Sequence, residues 1–356
     1  MKNQFARTSP VRRIVALAGA AALVVGAAAQ IATQSAGAAA KPAAKATAKA
    51  KTKAKPNTKP YAPNGRAPKA AGPFLWEIAS TDASLPSVSS FEAATTKIVP
   101  NNKIFSLLVI GSDARPGENF QRTRGDSISL IVWNPAWNKG IIVGFPRDSY
   151  VAIPGKGNGK ITSALALGGP DLLLQTVNSL SRLNTQNYVV TGFAGFTKMV
   201  NDIGGVNVLV DPAMNDKASG ALFAKGWFAM NGNAALAFNR NRKSVAGGDF
   251  GRALNHGRFL IYTLAKLREE VTDVSGLIRW IKSMQANAAT NLKTGDLLVL
   301  AQMARSIDPN NMQNIVLQGK NIKVKSGKLT EDAVLLNPSY FGFFTDIGHD
   351  AVNDGR

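Results

Sequence analysis

The chain has 356 residues, of which 42 are Lys or Arg, 22 are Asp or Glu, two are His and none is Cys. The lack of cysteine excludes a disulfide-bonded scaffold, a zinc–thiolate site, an iron–sulfur cluster and a cysteine nucleophile. Two histidines, His256 and His349, are too few for a multi-histidine metal centre. Any chemistry must therefore depend mainly on carboxylates, Arg, Lys and hydroxyl groups.

The N-terminal residues have the pattern of an export signal. Four basic residues precede an unbroken small and apolar run, Ile14–Ala29, and Ala27-Ala28-Ala29 offers a cleavage site of the A-x-A type. We therefore predict a signal peptide or a signal anchor over residues 1–38, and the pattern leaves open whether it is cleaved. Either form places the rest of the chain outside the cytoplasm, secreted or anchored at the outer face of the membrane.

Residues 39–73 are rich in Lys, Ala and Pro and contain no acidic residue. Thirteen of the 42 Lys and Arg residues fall within residues 1–73, which leaves 29 basic against 22 acidic residues in the remainder. Most of the net charge of +20 therefore belongs to residues 1–73, and it does not by itself predict nucleic-acid binding. We expect residues 39–73 to be a disordered linker. A second hypothesis is that they also hold the protein on anionic wall polymer or lipid headgroups.

From residue 74 onward, apolar runs and helical periods alternate as in an α/β domain. The first three predicted strands are Lys103–Gly111, Ser127–Trp133 and Gly140–Phe145. Their connections are too short for right-handed crossovers, so we expect them to be antiparallel. Together with the helices this predicts a three-layer α/β/α sandwich with a mixed, partly antiparallel central sheet. The later predicted elements are a helix from Pro170 to about Arg182, a strand Tyr188–Gly192, a helix Ala194–Ile203, a strand Val206–Val210, a helix from Asn231 to Asn239, a helix from Phe250 to about Val271 capped by Asp249, a helix capped by Thr294 and reaching Ile307, and strands Asn314–Gln318 and Asp332–Leu336.

Six charged residues lie at strand ends that an antiparallel meander brings together. They are Asp113 and Arg115 after the first strand, Arg124 and Asp126 before the second, and Arg147 and Asp148 after the third. Carboxylate oxygens bind hard cations such as Mg²⁺, and the planar guanidinium group matches phosphate oxygens. The sequence therefore predicts a site for a metal ion and a pyrophosphate at this edge of the sheet.

A second charged cluster lies further along the chain. Arg240 and Arg242 stand at the end of one predicted helix, Asp249 and Arg252 at the start of the next, and His256 follows one turn later. Ordinary structural roles remain open for part of the set: Asp249 as a helix N-cap, Arg242 as a solvated loop charge, His256 as a surface histidine and Asp148 as a partner that orients Arg147.

Several ordered motifs between Ile104 and Leu264 carry a family resemblance. They are FSLLVIGSDARPGENFQRTRGDSISLIVWNP, FPRDSYVAIPGKGNGKI, GGPDLLLQTV, GFAGFTKMVNDIGGVNVLV and NGNAALAFNRNRKSVAGGDFGR. Together they resemble the LytR-CpsA-Psr family of bacterial envelope proteins, and residues 265–356 resemble it more loosely. The resemblance implies an α/β/α catalytic domain over residues 74–356. It also implies an enzyme, a phosphotransferase that moves a glycopolymer from a polyprenyl-pyrophosphate carrier to a peptidoglycan hydroxyl and forms a phosphodiester link.

The resemblance also implies roles for single residues. Asp113 and Asp126 match aspartates that would hold Mg²⁺, with Mn²⁺ as an alternative, and one of them could activate the acceptor hydroxyl. The implied catalytic set is Asp113, Asp126, Arg124 and Arg147. The implied pyrophosphate-binding set is Arg115, Arg124, Arg147, Arg240, Arg242, Arg252 and His256, with Asp148 and Asp249 as structural partners of these residues.

The sequence departs from the family pattern in three places. Asn255-His256-Gly257 stands where the family has R-Q-Q, Thr162-Ser163-Ala164-Leu165 where it has N-A-A-Y, and Phe238 where it has Tyr. These departures keep two alternatives open. One is a weakly active or inactive homologue that binds lipid-linked wall precursors, and the other is a polyprenyl-pyrophosphate phosphatase that uses water as the acceptor.

A lipid carrier needs an apolar groove. Phe193, Phe196, Met199, Val200 and Leu254 are of the type that lines one, but residues of this type are more often part of an ordinary core. The sequence therefore does not assign the groove. It contains no recognition-helix or zinc-finger signature, so we expect no nucleic-acid partner.

Overall fold

Residues 104–326 and 329–354 are described by the structure, a computed structural model of the chain. The predicted signal segment (residues 1–38) and linker (residues 39–73) lie outside the described residues, as do residues 74–103. The strands are β1 Phe105–Ser112, β2 Gly125–Asn134, β3 Lys139–Gly144, β4 Tyr150–Ile153, β5 Gly157–Lys160, β6 Asn187–Thr191, β7 Val206–Val210, β8 Met214–Asp216, β9 Ala221–Phe223, β10 Gly226–Met230, β11 Ala289–Thr290, β12 Met312–Val316, β13 Gly319–Ser326 and β14 Leu329–Leu336. The helices are α1 Ile161–Ser181, α2 Phe193–Asp202, α3 Gly232–Arg240, α4 Asp249–Glu270, α5 Val274–Asn287, α6 Thr294–Ser306 and α7 Tyr340–Asp350, with a short 3-10 turn at Pro309–Asn311.

The central sheet has six strands in the order β11-β6-β1-β2-β3-β12. β1, β2 and β3 pair antiparallel, whereas β6 pairs parallel with β1 and β12 pairs parallel with β3. A tight reversal joins β2 to β3, because the side-chain oxygen of Asn134 accepts hydrogen bonds from the amides of Ala136 and Trp137. The predicted mixed sheet with an antiparallel start is therefore confirmed.

Alternate side chains of each strand are buried on opposite faces of this sheet. On one face, Leu130 and Val132 of β2 pack in a cluster that includes residues of α1 and α7. On the other face, Ile131 and Trp133 pack in a cluster with Ile261 of α4. Helices thus cover both faces, which confirms the predicted α/β/α layers.

A second core lies around the β7–β10 pair. Val208 and Met230 from these strands pack with Phe238 of α3 and Phe259 of α4. α3 begins where predicted, because the side-chain oxygen of Asn231 accepts a hydrogen bond from the amide three residues later. This core sets the position of the loop between α3 and α4, which carries the second charged cluster.

Three predicted helix starts need correction. α1 begins at Ile161, well before the predicted start at Pro170, and Gly169 inside it has a φ of 76° and is non-helical. Pro170 therefore marks a kink in a longer helix. Asp249 is the first residue of α4 and not its N-cap, which is Gly248, and Thr294 is likewise the first residue of α6.

Several elements were not predicted: the β4–β5 hairpin, β8 to β11, α5, β13 and α7. In the part of the chain that the structure describes, no helix combines the length and the apolar character needed to cross a bilayer.

Candidate active site

Asp113 and Arg124 lie together where β1 and β2 end. The two strands pair as far as Ser112 opposite Gly125, after a register shift. Beyond that point the Asp113 amide donates to the Arg124 carbonyl over 3.0 Å, and the Arg124 amide donates to Oδ1 of Asp113 over 3.1 Å. The Asp113 carboxylate is thus oriented by the backbone, and it has no ion pair among the described residues.

Asp126 and Arg147 form the central pair of the site. Nη1 of Arg147 donates to both carboxylate oxygens of Asp126, over 2.7 and 2.9 Å, and Nε lies 3.5 Å from Oδ2 of Asp148. Burial opposes the charge of Arg147, but the carboxylates of Asp126, Asp148 and Asp249 outweigh this effect and raise the pKa of Arg147. The amide of Thr162 also donates to the Arg147 carbonyl over 3.1 Å. Arg147 is therefore a charged group held at both its backbone and its side chain.

Arg252 joins the second cluster to the first. Its Nη1 lies 3.6 Å from Oδ2 of Asp126, and its Nη2 donates to the Asp126 carbonyl over 3.4 Å. The same Nη2 lies 2.6 Å from Oδ1 of Asp249, which is also 3.6 Å from Nε of Arg242. Burial lowers the pKa of Arg252, against the opposing effect of the Asp249 and Asp126 carboxylates. The two clusters seen in the sequence are therefore one site.

Asp216 was not predicted, and it holds the loop that carries Arg242. Its Oδ2 accepts hydrogen bonds from the amides of Arg242 and Lys243 over 3.2 and 3.4 Å, and its Oδ1 accepts from Ala218 over 3.0 Å. Burial alone would raise the pKa of Asp216, but these backbone donors outweigh it and lower the pKa. No local sequence pattern links Asp216 to a loop 26 residues further on.

Three of the predicted arginines form no ion pair with any of the described residues. Arg115 and Arg124 are exposed, and the amide of Arg115 donates to Glu118 over 2.7 Å. The Arg240 guanidinium lies over the ring of Phe193, 5.0 Å from its centroid. These guanidinium groups are therefore available to an anionic ligand.

His256 is held by the backbone at the end of α3. Its Nε2 lies 2.8 Å from the Asn239 carbonyl oxygen, and because a carbonyl only accepts, Nε2 carries the hydrogen. Burial, followed by the charge of Arg252, lowers the pKa of His256 to about 4. The neutral ring then offers Nδ1 as an acceptor, so a contact between His256 and pyrophosphate stays a prediction.

A cavity of about 380 Å³ lies beside these charged residues. Its polar lining includes Asp126, Arg240, Arg252 and His256. Most of its apolar lining comes from α2, α4, α5 and α6 and includes Phe193, Phe196, Met199, Val200, Leu260, Trp280, Met284, Leu297 and Leu300. Four of the five groove candidates from the sequence line this cavity, and Leu254 is not among the lining residues.

The chain matches a known protein family over most of its length. Residues 77–334, more than half of the chain, match the LytR_cpsA_psr family. The chain belongs to the LytR_cpsA_psr family. The resemblance found in the motifs is thereby confirmed.

Two curated relatives of this LytR_cpsA_psr protein share one name. The chain is 33% identical over 230 residues to "Polyisoprenyl-teichoic acid--peptidoglycan teichoic acid transferase TagU" of Bacillus anthracis, an alignment that covers 64% of this chain and 74% of the relative. It is 34% identical over 234 residues to the TagU protein of Bacillus mycoides, with coverages of 65% and 74%.

Solved structures share the fold of this chain. The crystal structure of B. subtilis TagV matches with a TM-score of 0.60 at 24% identity, covering 70% of this chain and 97% of that one, which shows a common fold. TagT bound to LI-WTA matches with a TM-score of 0.55 at 25% identity, covering 71% of this chain and 91% of that one.

The family resemblance also implies a divalent cation, which carboxylate oxygens of this site would hold. Within the described residues no group of three acidic or imidazole side chains gathers as a metal cluster. Asp113 and Asp126 instead lie on the adjoining ends of β1 and β2. Mg²⁺ is commonly bound by one or two carboxylates while substrate phosphates supply further oxygens. The residues present therefore fit a cation completed by a phosphorylated substrate.

Proposed function

We propose that this LytR_cpsA_psr protein is an extracytoplasmic phosphotransferase that moves a glycopolymer from a polyprenyl-pyrophosphate carrier to a peptidoglycan hydroxyl. The observation that carries the proposal is the mixed lining of one cavity, to which Asp126 and Arg252 contribute together with Phe196 and Trp280. Arginines suit a pyrophosphate, and apolar walls suit an isoprenoid chain. The relatives' name, a transferase between polyisoprenyl-teichoic acid and peptidoglycan, supports the same pair of substrates.

In this mechanism the arginines hold the pyrophosphate. Arg147 and Arg252 are already fixed by carboxylates, so little reorganisation is needed when negative charge grows on the phosphate oxygens. The acceptor hydroxyl oxygen forms a bond to the phosphorus next to the glycan, and the bond from that phosphorus to the bridging oxygen breaks. Polyprenyl phosphate leaves with the bridging oxygen, and the new link to peptidoglycan is a phosphodiester.

Asp113 is the residue to which we assign the hydroxyl proton. One of its carboxylate oxygens accepts from the Arg124 amide, and the carboxylate has no ion pair among the described residues. Asp126 has both carboxylate oxygens hydrogen-bonded to Arg147, so neither is free to accept the hydroxyl proton. Asp113 and Asp126 would together hold Mg²⁺, or Mn²⁺, when the substrate is bound. Such an ion would supply positive charge to the phosphate oxygens.

The proposed location and attachment rest on the N-terminal sequence. A basic segment followed by an apolar run is typical of export, and peptidoglycan is an extracytoplasmic acceptor. The Lys-rich residues 39–73 would bind anionic wall polymer or lipid headgroups. Deleting them should leave transfer in solution intact while weakening wall binding in a salt-dependent manner, which a sedimentation assay with purified walls can measure.

The deciding experiment uses the purified protein, a lipid-linked glycopolymer and peptidoglycan fragments, with products read by mass spectrometry. We expect a phosphodiester-linked product and polyprenyl phosphate, both lost on Asp113→Asn and in excess EDTA. Glycopolymer phosphate without linked product would identify a phosphatase. Carrier binding without any turnover would identify an inactive homologue. Full transfer in excess EDTA would reject the metal assignment and leave the arginine site in place.

A further inference from the structure

A lysine outside the arginine cluster connects the β13–β14 hairpin to the proposed site. Nζ of Lys160, the last residue of β5, lies 3.1 Å from Oε2 of Glu331 in β14. The same Nζ lies 3.5 Å from Oδ1 of Asp148, whose other oxygen lies 3.5 Å from Nε of Arg147. Lys160 therefore joins two carboxylates, and one of these faces the central arginine.

The backbone fixes the distances within this group. The amide of Val334 donates to the Asp148 carbonyl over 2.8 Å, and Ser149 forms a parallel bridge with Val334. The amide of Thr162, two residues after Lys160, donates to the Arg147 carbonyl. The hairpin, the end of β5 and the loop carrying Arg147 are thus tied together by hydrogen bonds that do not involve the charged side chains.

The orientation of Arg147 matters because its nitrogens are divided between partners. Nη1 is bound to Asp126, and the buried Nε faces Asp148 at a distance longer than a good hydrogen bond. Nη2 is the nitrogen that no carboxylate of the described residues occupies, so it is the one left to donate to a phosphate. A rotation of Asp148 would let the guanidinium plane turn and redirect Nη2.

We propose that Lys160 and Glu331 are positioning residues for Arg147, a role that rests on the proposed phosphotransferase function. Glu331 holds Lys160, Lys160 holds Asp148, and Asp148 holds the guanidinium plane. The side chains of Lys160 and Asp148 are only 23% and 26% exposed, so water screens this pair less than an exposed one. Asp148 and Glu331 are like charges, and Lys160 between them removes their repulsion.

The experiment compares Lys160→Met, Glu331→Gln and the double variant in the transfer assay, with kcat and the donor KM measured separately. We expect Lys160→Met to lower kcat about tenfold and Glu331→Gln about threefold, with KM unchanged within about twofold. The smaller effect of Glu331→Gln follows because Lys160 still pairs with Asp148. Since the contacts act in series, the double variant should match Lys160→Met, and Lys160→Arg should recover most of the rate.

Asp332→Asn is the matched control on the same strand. Asp332 pairs with Lys323 across the hairpin at 2.6 Å, and its side chain is 80% exposed. It should keep the wild-type kcat, and thermal unfolding should show similar melting temperatures for all variants. An equal loss in Asp332→Asn and Glu331→Gln would assign the effect to hairpin stability and overturn the proposal.

Two further results would also overturn it. A rise in KM at constant kcat in Lys160→Met would mean that Lys160 contacts the donor directly. A double variant with the wild-type kcat would contradict the proposal. So would a double variant whose loss in kcat equals the product of the two single losses, because Glu331 would then not act through Lys160. If the wild-type protein transfers nothing, the proposed function itself fails, and that result is separate from any difference between variants.

Discussion

One nitrogen of Arg147 binds both carboxylate oxygens of Asp126, at 2.7 and 2.9 Å. Asp126 also lies 3.6 Å from Nη1 of Arg252, so a single carboxylate stands between two guanidinium groups. Without that carboxylate the two cations would repel each other. Asp126 therefore lets two arginines stand close enough to contact one pyrophosphate.

Substitution of Arg147 should separate binding from chemistry. Losing a charge-assisted contact typically costs about 1.5–3 kcal/mol, so Arg147→Ala should weaken carrier binding about tenfold or more. Its transfer rate should fall further, because charge on the phosphate oxygens grows during the reaction. Arg147→Lys keeps the charge without the planar fork and should recover binding more than rate. The measurements are carrier-lipid binding and single-turnover transfer, and wild-type values of both for Arg147→Ala would contradict the site described here.

The strand-end part of the site could be predicted because chain order alone determines it. Three apolar runs with short connections must form a meander, and a meander brings Asp113, Asp126 and Arg147 to one edge. The link from Arg252 to Asp126 spans 126 residues and depends on how α4 packs on the sheet. No local pattern contains that information, and the same holds for Lys160 with Glu331.

Only part of the cavity wall could be predicted from the sequence. Leu277, Trp280, Ile281 and Met284 recur at helical spacing, so α5 could have been predicted from its period. The cavity itself could not, because an apolar helix face looks the same whether it packs against a neighbour or borders a cavity. Tertiary packing determines that Phe196 and Met199 line the cavity.

Gly257 permits close packing between α4 and β12, and its substitution should destabilise the fold. A Cβ built at Gly257 would lie 1.9 Å from Oδ1 of Asn314, whose Nδ2 donates to the Leu254 carbonyl over 2.9 Å. Gly257→Ala should therefore cost about 1–3 kcal/mol in the free energy of unfolding, measured by urea denaturation. Gly342→Ala in α7 meets nothing within 4 Å and should be neutral or stabilising by up to about 1 kcal/mol. Equal stability of the two variants would contradict the packing described.

His256 should make stability depend on pH on the acid side. Its folded pKa of about 4 lies below the ordinary value of 6.5, so the unfolded chain binds the proton more readily between these two values. The stabilising contribution is present above pH 6.5 and is lost as the pH falls toward 4. Between pH 7.5 and pH 5 the loss should be about 1–2 kcal/mol, and His256→Gln should remove it. Urea denaturation of both proteins at the two pH values measures the difference, and an identical pH dependence would show that His256 is protonated in the fold near its ordinary pKa.

The cavity should bind the lipid portion of the carrier, and a bulkier wall should block it. Leu300 of α6 lines the cavity, whereas Val299 beside it is 53% exposed and does not. Leu300→Trp would fill space that apolar chain atoms would occupy, and each buried methylene contributes about 0.8 kcal/mol, so two lost methylenes weaken binding about tenfold. Val299→Trp adds the same side chain to the same helix and should leave binding unchanged.

Binding of a polyprenyl pyrophosphate and of a pyrophosphate ester without the lipid tail should be measured on both variants by calorimetry. Only the lipid should lose affinity for Leu300→Trp. Equal losses for both ligands would show that the tail lies elsewhere and that the substitution disturbs the arginine site.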